Sequence, residues 1–159
     1  MAKIERKYLA HFMNTAKQGL DGVYERLGKD LEEFQAEMSA QVERKVNILG
    51  EQSIVISGYE KSASVDTYYA QSGTALFDRL QEIVDKNLVL EDLKADIVEV
   101  KLWEASEDGA YPAIRETVYL EVNGYGGDNT GYQIPFTIHY TGEKTPGKFN
   151  LTSRTFTEI

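Results

Sequence analysis

Alternation dominates the pattern of apolar and polar positions along the chain. Ile54 and Ile56 alternate with Ser53 and Ser57 between Gly50 and Gly58, a two-residue period that predicts a strand with one buried and one polar face. Just upstream, in 30–38, Phe34, Ala36 and Met38 alternate with Glu33, Gln35 and Glu37. The first set is expected to enter the core and the second to point away from it. A polar run, 39–47, separates the two strands. The pair therefore predicts a hairpin whose long loop, residues 39–52, does more than reverse the chain.

Before the hairpin, the aromatic-rich run 8–13 reads as an edge strand or an arm, and 1–22 as a possible N-terminal arm. Residues 14–22 read as loop, 23–27 alternate, and Gly28-Lys29 turns the chain toward the hairpin. Behind it, Leu76, Phe77, Leu80, Ile83 and Val84 form one apolar stripe on a 3.6-residue period, which predicts a helix capped by Ser72 and stopped at Asn87. Asp78, Arg79, Glu82 and Lys86 fall on its other face, as expected for a helix that covers a sheet on one side.

From Ala95 the pattern returns to strands. Val98, Val100 and Leu102 alternate with Glu99, Lys101 and Trp103, and 104–112 reads as a turn. Ile114, Val118, Leu120 and Val122 then share a face that Glu116 interrupts. After a glycine-rich connection over 123–131 come Tyr132, Ile134, Phe136, Ile138 and Tyr140, a turn at 142–147 and a β-prone tail, 148–159. The predicted class is α+β and mainly antiparallel: a β-sandwich- or barrel-like core, one flanking helix and a long hairpin loop, in one domain spanning 1–159.

Composition narrows the classes. With 42% hydrophobic and 11% aromatic residues, the chain is expected to fold rather than remain disordered. The absence of cysteine removes disulfides and thiolate metal sites and fits synthesis in the cytoplasm, and no apolar run approaches transmembrane length. The net charge is −9, with +3 over residues 1–29 and −5 over 30–60. An acidic chain without a basic patch is poorly suited to gripping DNA phosphates, although it can lie beside DNA without holding it.

Candidate chemistry is sparse. Gly124-Tyr125-Gly126-Gly127 echoes a phosphate-binding loop, but a strand follows where a helix N-terminus is needed. His11 and His139 lack metal-ligand spacing, and Glu32 and Glu33, adjacent on a strand, point to opposite faces. No nucleophile motif is present, so no catalytic residue, metal or cofactor is expected. Tyr59, Tyr68, Tyr69, Tyr125 and Tyr132 sit beside glycine turns or at strand ends. Interface contacts and ordinary strand-edge packing both suit them.

Several pieces, read in order, carry a resemblance: 26–30 (Arg-Leu-Gly-Lys-Asp), 47–51 (Asn-Ile-Leu-Gly-Glu), Gly58-Tyr59-Glu60, Val65-Asp66, Tyr68-Tyr69-Ala70 and 131–140. Together they resemble the tail tube (major tail) proteins of siphophages and related prophage elements. The resemblance implies a virion structural protein, made in the bacterial host, that assembles as hexameric rings stacked into a hollow conduit for double-stranded DNA. It implies sheets joined into an inner barrel, rings connected by the hairpin loop and a terminal arm, and tape-measure and tail-end proteins as partners. Glu33, Gln35 and Glu37 would then face the lumen, and Val42, Arg44, Lys45, Val46, Ile48 and Leu49 would belong to the inter-ring loop. A tail terminator, another virion or tailocin tube component, and a stand-alone ligand-binding β-sandwich are the alternatives.

Overall fold

A computed structural model describes residues 2–14, 24–28, 31, 34–104 and 107–159. The elements in chain order are β1 (Leu9–Asn14), β2 (Tyr24–Arg26), β3 (Ala36–Val46), β4 (Gln52–Val65), α1 (Ala75–Lys86), β5 (Lys94–Lys101), β6 (Ala110–Val122), β7 (Gly126–Asp128), β8 (Gly131–Gln133), β9 (Phe136–Asn150) and β10 (Thr155–Glu158). Eight of the strands form one antiparallel sheet in the order β2-β1-β5-β6-β9-β4-β3, with β10 also paired to β9, and β7 and β8 make a separate small hairpin. The class is thus α+β and mainly antiparallel with one flanking helix, as the alternation predicts.

The central strands are buried on both faces, which is why both parities of β5 are apolar. Ala95 and Ile97 join the helix-side core with Leu76, Leu80, Ile83, Val118, Leu120, Phe136 and Ile138. Val98 and Val100 join Phe12, Tyr24 and Phe149 on the other side. That second cluster measures the curl of the sheet. Tyr24 on β2 and Phe149 on β9 meet edge to face at 5.7 Å. Four strand spacings separate them, about 19 Å across a flat sheet. The sheet therefore bends toward closure, as in a barrel.

Helix α1 begins two residues later than the pattern suggests. Thr74, not Ser72, is the cap: its side chain accepts from the amide of Phe77 at 3.4 Å, and Glu25 Oε2 accepts from the amide of Leu76 at 3.0 Å. Asn87 ends the helix in the left-handed conformation. Arg79, expected on the solvent face, is buried, and its guanidinium donates to the carbonyls of Asp92 (2.6 Å) and Lys94 (3.1 Å). It ties the helix to the start of β5, a role its charge hides from periodicity.

Two further expectations change. The run expected as an edge strand or an arm is β1, which pairs with β5 from Leu9 to Asn14 and is flanked on its other side by β2 from Phe12 to Asn14. The turn expected at 142–147 lies inside β9. One residue of β6, Thr117, faces Thr141, Gly142 and Glu143 of β9, so the glycine there (φ +92°) serves a bulge. The chain reverses later, at 151–154, and β10 returns along β9.

Candidate assembly surface

The predicted hairpin is present, but its extra length is strand rather than loop. β3 pairs with β4 from Ala36↔Ala63 to Val46↔Gln52, and the turn occupies only 47–51. Asn47 builds that turn: its Oδ1 accepts from the amides of Leu49 (2.9 Å) and Glu51 (3.0 Å), and Gly50 takes φ +79°. The polar composition that reads as loop is that of a ribbon solvated on both sides. β4 pairs with β9 only from Ser62 to Val65. Beyond Lys61 the hairpin leaves the sheet as a free two-stranded arm, roughly 30 Å long at strand rise.

The arm is amphipathic. Residues paired directly across an antiparallel ladder share a face. Val42↔Ile56, Arg44↔Ile54 and Val46↔Gln52 therefore lie together, continued inward by Ala40↔Tyr59 and Met38↔Lys61 toward Ala36↔Ala63 at the core. The bulge between Gln41 and Val42 keeps this parity in phase. The opposite face carries Glu37, Ser39, Glu60, Gln41, Glu43, Lys45 and Ser53, with Val55 as its large apolar member. The apolar face is open to solvent: Ile54 is 57% exposed, Ile56 53%, Val42 49% and Ile48, at the tip, fully so.

Met38 corrects one expectation. It keeps the parity of Phe34 and Ala36, but at 58% exposure it stands beyond the edge of the core. Phe34 is buried and Ala36 packs against the core. Gln35 and Glu37 are exposed, and Glu33 lies outside the described residues. Of the six residues assigned to a loop, Val42, Arg44, Lys45 and Val46 are on β3, with Lys45 on the polar face, whereas Ile48 and Leu49 form the turn.

At the root of the arm sits a feature that the pattern shows only as an interruption. Glu116 is 2% exposed, and its Oε1 accepts from Lys61 Nζ at 2.8 Å. The same ammonium lies 4.5 Å from the ring centroid of Tyr140, whose hydroxyl is pushed above its ordinary pKa by burial and then by Glu116 and Glu99. Glu116 Oε2 is buried and has no hydrogen-bond partner among the described residues. Nearby, His11 is buried with its ring 4.7 Å from Phe34 and Nε2 3.8 Å from Glu99. Burial, helped by Arg6 and Lys61, lowers its pKa to about 3, so it is neutral at pH 7. His139 is exposed beside Glu121 at 3.1 Å. Among the described residues no three His, Asp or Glu gather as a metal site, and no helix is long and apolar enough to cross a membrane.

The tyrosines divide. Tyr59 and Tyr125 stand well exposed, Tyr132 is partly so with its hydroxyl donating to Gln81 Oε1 at 2.9 Å, and Tyr69 is half-buried. Tyr68 is a core residue, edge to face with Phe136 at 5.9 Å.

This arrangement, a curled antiparallel sheet with one helix and a projecting hairpin, matches a solved structure. The fold is that of the SPP1 tail tube. Superposition with that tube subunit gives a TM-score of 0.65 over 91% of this chain and 78% of the other, at 14% sequence identity. No family model and no curated protein sequence matches the chain. At that identity, the shared feature is the fold.

Proposed function

We propose that the chain is a phage tail tube subunit, a non-catalytic structural protein that self-assembles into stacked rings around a hollow conduit. One observation carries the reading: on a tail-tube fold, the arm presents a regular apolar face that nothing among the described residues covers. An isolated two-stranded ribbon is marginal in water, and an exposed apolar face of this size calls for a protein partner. In a polymer the arm of each subunit lies on its neighbour, and sheets joined between subunits remove the free edge of β3. The ring number, six, follows the tail tube resemblance, as do a virion location and tape-measure and tail-end partners.

On this reading Glu33, Gln35 and Glu37 face the channel, and the exposure of Gln35 and Glu37 supports the assignment. Glu37 shares its face with Glu60 and Glu43. Repeated around each ring, such carboxylates repel the DNA backbone, so double-stranded DNA slides without being gripped.

Negative-stain microscopy of the concentrated wild-type protein tests the proposal. Hollow filaments of uniform diameter are expected. A monomer at every concentration contradicts the reading and favours a stand-alone binding module.

A further inference from the structure

We infer that the arm tip, Ile48 and Leu49, seats in one particular groove of a second copy: the apolar groove between the C-terminal end of α1 and β6. This inference rests on the tube reading and adds the acceptor site. Ile48 is fully exposed and Leu49 is 76% exposed, on a turn that Asn47 holds in shape. Burying two large aliphatic side chains contributes several kcal/mol only where an apolar recess receives them.

Two recesses stand out among the described residues. One, of about 630 Å³, lies beside β1 and β2, and among the described residues its charged lining is Arg6, Lys7, Arg26 and Arg154 with Glu25. The other, of about 410 Å³, is lined by Ile83, Val84, Leu88, Val89 and Val122, with Glu121 at its rim.

Charge decides between them. Arg44 is the one charged side chain on the outer apolar face of the arm, beside Val46 and Ile54, so docking of that face carries a cation with it. Among the described residues, the first recess sets four cations and one carboxylate against this cation. The second presents Glu121, whose side chain is 56% exposed, and Asn87 at the negative end of the α1 dipole. Both groups favour a guanidinium there. The helix end and β6 thus form a socket complementary in polarity and charge to the arm tip.

The chain has no cysteine, so introduced thiols report this contact alone. Leu49→Cys and Val89→Cys replace exposed residues and leave the core untouched. The two single variants are mixed with wild-type chain, assembled and oxidised, with Leu49→Cys plus Lys7→Cys, at the other recess, as the control pair. A covalent dimer is expected from the Leu49→Cys and Val89→Cys mixture, and none from the control or from either variant alone. A dimer in the control pair or from a single variant, or none from chains that do form tubes, overturns the socket and leaves the tube reading standing. Wild-type chain that forms no filament overturns both.

Discussion

Lys61 Nζ donates to Glu116 Oε1 at 2.8 Å where β4 parts from β9 and the arm begins. The register irregularity of β6 and β9, at Thr117 opposite 141–143, falls at the same fork. An ion pair this buried gains little over an apolar pair, but losing one partner strands a charge. Glu116→Leu alone should therefore cost about 3–5 kcal/mol. The double change Lys61→Met with Glu116→Leu should recover most of that loss. Urea unfolding of the three proteins checks the prediction, and a double variant as unstable as the single one contradicts it.

The helix stripe is graded. Leu80 is completely buried, whereas Phe77 is half-buried with its ring 6.3 Å from that of Tyr132. Leu80→Ala should cost about 2–5 kcal/mol, and Phe77→Ala less than the upper range for a core phenylalanine. If Phe77→Ala melts like wild type yet fails to assemble, that side of the helix is an interface.

His11 makes stability depend on pH. Its folded pKa of about 3 lies below the ordinary 6.5, so the unfolded chain takes up a proton that the folded chain refuses. The stability is complete above pH 6.5 and declines as pH falls toward 3, by about 2 kcal/mol at pH 5. His11→Leu should flatten this part of the profile in thermal melts between pH 7 and 5. An unchanged slope would mean that other groups set it.

Gly147 holds β10 in place by having no side chain. A Cβ there would overlap the ring of Phe156 and the carbonyl of Thr157. Gly147→Ala should cost about 1–3 kcal/mol by overpacking and loosen β10 first. Faster hydrogen exchange at the β10 amides that bond to β9 reports the loosening, and native protection with normal stability rules it out.

Much of this architecture is legible in the sequence because burial on one face imposes a period. The α1 stripe and the Ile134–Phe136–Ile138 run sit where the pattern places them, and the Ile54/Ile56 alternation marks a strand, but the face expected to be buried there is exposed. Length and partnership are less legible. The run 39–46 is polar enough to read as loop, because a ribbon in solvent on both sides needs no apolar continuity. Met38 has core parity but no core above it, which depends on where β4 leaves β9. Glu116 and Arg79 are charged residues whose burial rests on partners distant in sequence, Lys61 and the carbonyls of Asp92 and Lys94. For Glu116 the sequence signal is there, as a charge interrupting an apolar face, but its meaning waits on the partner.

The central claim is that the apolar face of the arm drives self-assembly. Replacing Ile54 and Ile56 together by glutamate puts two charges on that face without touching the core, since both side chains are exposed in the single chain. Sedimentation velocity of wild type and Ile54→Glu/Ile56→Glu, alongside their melting curves, is the most direct test. The account predicts polymers from wild type and a monomer of near wild-type melting temperature from the variant. A variant that polymerises as wild type does, or a wild-type chain that stays monomeric at high concentration, would contradict it.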